Sequence, residues 1–295
     1  MPVSSERQLS DLARRAGRAT LGNPRESAEL ISFYAGFPDP GSLPISDVIE
    51  STRVAIESEG EWALQYGVSA GEARLIDELL RKLARDQQVE ASRENVLITN
   101  GASQALSLIV DMLVEPGDVV ISEAPTWMGA VANFNQAGAG VREVGIDDDG
   151  LQTDELRDVL TDLQAMDTRA KLLYVIPNFQ NPTGVTMLLE RRNKLLAIAE
   201  EFDVPVIEDD AYFDLRYSGE TLPTLYSLDT SGRVLYLGTF SKIMAAGMRL
   251  GWVVAHPEVI NRLIALKPDG GTSPFGSFVA TELRRPARSS NMSRS

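Results

Sequence analysis

The sequence predicts an α/β fold, a mostly parallel sheet sandwiched by helices, on two observations. From about residue 95 onward, short runs rich in β-branched residues alternate with stretches of helical periodicity. Most of these runs read as strands buried on both faces, and buried strands separated by helices imply a largely parallel sheet.

Along the chain, residues 96–99 (VLIT) read as a strand and 103–114 as a helix with apolar residues at helical spacing. The EPGD turn leads to a strand at 119–122 (VVIS). Residues 142–146, 171–177, 204–209, 233–238 and 250–255 continue the series, with helices such as 188–202 between them. Upstream, Ser69 and Glu72 form a capping-box pattern ahead of the amphipathic run ARLIDELLRKLARDQ. Residues 1–45 read as an irregular N-terminal arm, with turn formers crowded into GFPDPGSLP, and 46–268 as the domain carrying the sheet. Residues 269–295 end in LRRPARSSNMSRS, four arginines with no acid and no apolar period, which reads as a disordered basic tail.

Composition narrows the chemistry. A chain of 295 residues can bury a sizeable core. No apolar run approaches a membrane span, and the N-terminus lacks the apolar core of a secretory signal, so a cytoplasmic location is expected. The net charge of -14 disfavours nucleic acid, whose affinity rests on neutralising phosphates. The absence of cysteine excludes disulfides, thiolate metal sites and a thiol nucleophile. The one histidine, His256, precedes a proline where a strand should hand over to a helix, and reads as a cap or loop residue. Chemistry therefore falls to Lys, Asp, Tyr, Asn, Arg and hydroxyl groups, with no metal expected.

Four clusters lie at or just past expected strand ends, where open α/β sheets bind ligands. In NGASQAL, the backbone N–H groups of Ala102 and Ser103, the Ser103 hydroxyl and the Gln104 amide face an anion if they open a helix, although an ordinary strand-to-helix turn has the same composition. PNFQNPTG is a turn former whose Asn181 amide can donate to a ligand. IEDDAYFDLRY ends an apolar strand in carboxylates, Asp209 and Asp210, with the Tyr212 hydroxyl following. A buried carboxylate there needs a cation, whereas Asp210 reads as solvated or N-capping. TFSKIMAAGMRLGW sets Lys242 among small and apolar residues, a setting that lowers an amine's pKa and suits Schiff-base chemistry.

In order, GASQAL, APTW, NPTG, EDDAY and SK…RLGW resemble the class I/II aminotransferases of pyridoxal-5′-phosphate (PLP) fold type I, over about residues 31–276. The chain looks closest to the aminoadipate and aromatic aminotransferase-like branch. The resemblance implies the large PLP-binding domain, amino acid and 2-oxo acid as substrates, and a homodimer with shared active sites. It implies that Lys242 forms the Schiff base with PLP and shuttles the proton between substrate and cofactor. Asp209 would pair with the pyridine nitrogen, and Tyr212 and Asn181 with the ring O3′, while Trp127 of APTW would stack on the ring. Ala102, Ser103, Gln104, Thr239, Ser241 and Arg249 would cradle the phosphate, joined by Tyr66 from the neighbouring subunit. Gly36 would line the substrate pocket with Asn181.

Two departures stand out. Ala246 occupies a place where the family usually has proline. More consequentially, the resemblance implies a small C-terminal domain of about a hundred further residues, and nothing after SPFGSF resembles it. A chain truncated before that domain, with incomplete substrate recognition, is the expectation. A β-lyase or decarboxylase on the same fold, an effector-sensing domain without turnover and a degenerate fragment stay open as alternatives.

Overall fold

The computed structural model describes residues 9–16, 36 and 38–284. The tail expected from residue 283 on lies outside them beyond residue 284, as does most of the N-terminal arm. In chain order the helices are α1 (Asp11–Ala16), α2 (Ile45–Glu59), α3 (Ala73–Gln87), α4 (Ala102–Leu113), α5 (Met128–Ala137), α6 (Thr153–Ala165), α7 (Leu189–Glu201), α8 (Leu225–Leu228), α9 (Pro257–Leu266) and α10 (Pro274–Arg284). The strands are β1 (Val96–Thr99), β2 (Val119–Ala124), β3 (Gly140–Asp147), β4 (Gly150–Leu151), β5 (Ala170–Val175), β6 (Val206–Asp209), β7 (Val234–Thr239) and β8 (Gly251–Val254).

One sheet holds all eight strands in the order β1-β8-β7-β6-β5-β2-β3-β4. The block β7-β6-β5-β2-β3 is parallel, whereas β8 runs antiparallel to both β7 and β1. Residues 250–255 thus turn back rather than continuing the parallel series. A short connection from β7 through the Lys242 segment explains this, because parallel strands need a long crossover.

Alternation of side chains along each strand feeds two covering layers. On one face Leu172, Ile207, Leu235 and Val253 pack with Leu106, Ile109, Phe134, Ile260 and Leu263 of α4, α5 and α9. On the other, Ile121, Leu173, Val175 and Val206 pack with Leu156, Leu160, Leu195 and Ile198 of α6 and α7. Helix α3 covers the β1/β8 end through Leu75, Leu79 and Leu83 against Ile98, Trp252 and Val254. Phe278 and Val279 of α10 close over Ala55 of α2 and Ala63.

The start of α3 departs from the capping-box reading. Glu72 is itself the N-cap, accepting from Arg74 N and Leu75 N, and Ser69 takes no part. Gly71 explains the difference: its φ is +112° and a Cβ there would lie 2.5 Å from Ile98, so the chain stays non-helical until it has passed β1. His256 caps α9, its ring nitrogen accepting from Glu258 N. Among the described residues no helix is long and apolar enough to cross a membrane.

Candidate active site

The strand order reverses between β5 and β2, and in open α/β sheets the crevice at the carboxyl ends beside such a switch point is the ligand site. Four chain segments converge on that edge. Glu123 lies at the end of β2 with the 125–127 segment after it, residues 178–183 follow β5, Asp209 ends β6, and Thr239 ends β7 with Ser241 and Lys242 after it.

At the β6 end, Asp209 is 5% exposed and its Oδ2 accepts the Tyr174 hydroxyl at 2.7 Å. Its Oδ1 is buried without a hydrogen-bond partner. Burial pushes this carboxyl up to about 6, against the lowering effect of the Tyr174 bond. The residue next to it differs from expectation. Asp210 is buried rather than solvated, with Oδ1 accepting from Asn178 Nδ2 at 2.9 Å and Oδ2 from the Tyr236 hydroxyl at 3.3 Å. Neighbouring residues of a strand face opposite ways, so Asp210 enters the polar network around the fully buried Arg192, which donates to Asn178 Oδ1.

Asn181 Nδ2 donates to the Tyr212 hydroxyl at 3.1 Å, which brings those two predicted residues together. The Trp127 ring lies over Gly129, where a Cβ would come within 2.3 Å of it. Lys242 sits in a π-helical turn, Ser241–Ala245, and its Nζ donates to the Gly36 carbonyl at 2.9 Å. Burial alone lowers its pKa, so the amine is biased towards its neutral, nucleophilic form. Lys242 lines an open cleft of about 490 Å³ with Pro38, Leu43, Asp214 and Met244.

At the opposite end, Thr99, Gly251 and Thr239 stand side by side across β1, β8 and β7. The chain then turns at Gly101 (φ +79°) into α4. A Cβ on Gly101 would lie 2.6 Å from Arg249 Nη2, and one on Gly251 would lie 2.6 Å from Ala102 N. Arg249, itself left-handed at φ +51°, thus brings its guanidinium against the helix N-terminus. Thr239 Oγ1 and Ser241 Oγ are 2.9 Å apart. The first N–H groups of α4, those of Ala102 and Ser103, lack intrahelical acceptors and open towards an anion. The Gln104 side chain is occupied elsewhere: Oε1 accepts from Asn100 N at 2.8 Å and Nε2 donates to Asp269 at 3.0 Å. Tyr66 is 89% exposed, away from this cluster's hydrogen bonds.

Three participants escaped sequence reasoning. Tyr174 read as one more apolar strand residue, although its place at every second position with Leu172 and Ile176 put it on one face. Glu123 and Gln180, both buried, carried no local signal beyond lying beside APTW and NPTG.

A buried acid with an unmatched oxygen at one end and a helix N-terminus with an arginine at the other offer partners for a positive group and for an anion. Residues 29–289 match the family described as Aminotransferase class I and II, and the chain belongs to that family. It is 37% identical over 257 residues to Aromatic-amino-acid aminotransferase 1 of Thermococcus litoralis, covering 86% of this chain and 62% of that one. The structure of Pyrococcus horikoshii kynurenine aminotransferase, in complex with PMP, superposes with a TM-score of 0.86 at 37% identity, covering 94% of this chain and 69% of that one. The alpha-aminoadipate aminotransferase of Thermus thermophilus, complexed with N-(5′-phosphopyridoxyl)-L-leucine, gives 0.81 at 34% identity, covering 92% and 68%. The chain spans 62% and 65% of the length of the first two curated relatives it matches.

Proposed function

We propose that this chain binds pyridoxal 5′-phosphate through Lys242 and serves the transfer of an amino group between an amino acid and a 2-oxo acid. The observation that carries the reading is the orphaned Asp209 Oδ1. A buried carboxyl oxygen without a donor is costly, and a protonated pyridine nitrogen supplies the missing partner. The cofactor fits the rest of the edge as well. Gly101 and Gly251 let the Arg249 guanidinium and the Gly101–Ala102 backbone approach closely, so a phosphate would meet Ala102, Ser103, Thr239, Ser241 and the Arg249 fork together, and Gln104 serves by holding that turn. The phosphopyridoxyl group named for the Thermus structure supports the same choice.

Bound there, the cofactor supplies an electron sink for the bonds around the amino acid's α-carbon. Asp209 holds the proton at the ring nitrogen, with Tyr174 fixing the carboxylate's orientation. Asn181 and Tyr212, already joined by a hydrogen bond, would meet the ring hydroxyl oxygen, and Trp127 would cover the ring. Lys242 would hold the cofactor covalently, and its amine would be the group that moves a proton at the substrate's α-carbon. Pro38, Ser42, Leu43 and Pro44 line the cleft beside Lys242 that would take the substrate, and Gly36 meets the Lys242 amine at its edge.

A homodimer is part of the proposal. Trp62, Leu64, Tyr66 and Val68 are 66%, 73%, 89% and 65% exposed in one contiguous segment, an apolar surface that a second copy would cover. Sedimentation equilibrium tests this, and a monomer at micromolar concentration overturns it.

The functional test is direct. PLP added to the purified chain should give a visible absorbance band, raise the melting temperature and, after borohydride, label Lys242 by mass spectrometry. Lys242→Ala should lose the band and the label. Single-turnover mixing with aromatic amino acids and aminoadipate then separates transamination from cofactor binding alone: bleaching of the band with release of the 2-oxo acid shows turnover. Pyruvate with ammonia, or carbon dioxide, would point to the lyase or decarboxylase alternatives.

A further inference from the structure

We propose that Glu123 is a positioning residue of the cofactor site, fixing through Gln180 the loop that carries Trp127 to the loop that carries Asn181. The inference rests on the PLP reading above and concerns the switch point between β2 and β5. Glu123 Oε2 accepts two N–H groups from the far side of that junction, Ile176 N at 3.0 Å and Gln180 Nε2 at 3.2 Å. The same Gln180 Nε2 donates to Pro125 O at 2.8 Å, two residues before Trp127. Its Oε1 accepts from Thr183 N at 3.0 Å and Thr183 Oγ1 at 2.8 Å.

An amide side chain has two donors and two acceptor lone pairs, and Gln180 uses all four on protein partners. It has nothing left for a ligand, so its role is that of a knot between two loops. Asn181, the next residue, is thereby held where its amide meets Tyr212, while Pro125 is held at the root of the Trp127 turn. Glu123 anchors the knot to the sheet. It is 2% exposed, and Gln180 is 3% exposed, so each bond is shielded from competing water.

The charge state suits this role. Burial pushes the Glu123 carboxyl up to about 8, and Asp209 adds to the shift. The titratable groups facing it are Asp209 on β6 and Tyr174 on β5. A neutral acid ties the loops without setting a second negative charge beside the carboxylate reserved for the ring nitrogen. Neutral glutamine has nearly the same shape and can accept the same two N–H groups, which gives the test its control.

The experiment uses the full chain, PLP as the probe, and the variants Glu123→Gln, Glu123→Ala, Gln180→Ala and the double alanine. Three quantities are read: the dissociation constant from the visible band, the visible circular dichroism per bound cofactor at saturation, and the melting temperature without cofactor. Glu123→Ala should weaken binding about tenfold and change the dichroism, because the donors it leaves are buried. Glu123→Gln should stay within about threefold with wild-type dichroism, and the double variant should be no worse than the worse single one. A purely structural role would lower the melting temperature while leaving the saturated dichroism intact, and that result overturns the proposal. Equal losses in Gln and Ala overturn it too. If Glu123→Ala does not fold, Gln180→Ala against Glu123→Gln decides by the same readings. A wild-type chain that takes up no PLP sinks the cofactor reading and this inference together, whereas a wild type that binds beside an equally tight Glu123→Ala sinks only the latter.

Discussion

The two ends of the carboxyl edge of the sheet are built on opposite electrostatic plans. At the β6 end the chain buries acids: Asp209 is pushed up to about 6 and Glu123 to about 8, and Glu208 and Asp210 are raised in the same sense, each chiefly by burial. At the β1/β8/β7 end it gathers an exposed arginine, hydroxyls and the N-terminus of α4. The first end withholds a donor from Asp209 Oδ1, and the second leaves N–H groups without acceptors. A ligand with a basic ring nitrogen and a phosphate can bind this pair of ends in one direction only. Preorganised, unmet polar groups thus encode orientation before the ligand arrives.

The largest effect is expected at the buried end. Asp209→Asn keeps the shape but cannot hold a proton on a ring nitrogen, and should weaken PLP binding about 10- to 100-fold, the worth of a charge-assisted bond. Titration of the visible band reads this, and its salt dependence should match the wild type's because the buried pair is poorly screened. Arg249→Ala should weaken binding about tenfold and flatten the salt dependence, since the guanidinium is exposed; Arg249→Lys should recover part of the loss without the fork. If both variants change the salt dependence alike, the two-plan description fails.

Tyr174→Phe sharpens the buried end further. It removes the one side-chain donor to the buried Asp209, so the apo protein should lose about 1–3 kcal/mol in urea denaturation. Removing the Tyr174 bond, which lowers the Asp209 pKa, should also move the pH dependence of PLP binding upward.

A further expected effect is on the pH dependence of stability. Glu123 has an ordinary value of 4.5 and a native value of about 8. Below about 4.5 both states hold the proton; between the two values the unfolded chain releases it while the native state keeps it. Native stability therefore falls as pH rises through this window. The apo melting temperature should drop between about pH 5 and pH 8, and drop less in Glu123→Gln. Glu208, Asp209 and Asp210 act in the same direction, so the slope should be reduced and not abolished.

Much of this was legible in the amino-acid order because it is local. The strands β1, β2, β5 and β7 were set by short apolar runs between turn formers, and Lys242, Asp209 and Asn181 by their places at strand ends. What was not legible depends on partners far along the chain. Tyr174 is an acid's partner only because β5 lies beside β6, which sets its hydroxyl on a residue 35 positions away. Asp210 looks solvated in sequence, yet it meets Asn178 32 positions back once the loop after β5 folds over it. Glu72 displaces Ser69 as the cap of α3 because Gly71 must pass against Ile98, a contact invisible to a four-residue pattern.

The sequence by itself determined the α/β class, the family and the residue types at the strand ends, since periodicity and turn chemistry act over a few residues. Only the tertiary structure decided which polar groups are satisfied and which are left waiting. That distinction is a matter of burial and pairing across the sheet: the order β6-β5-β2 brings Asp209, Tyr174 and Glu123 to one edge, and the loss of water there raises the pKa of both carboxyl groups.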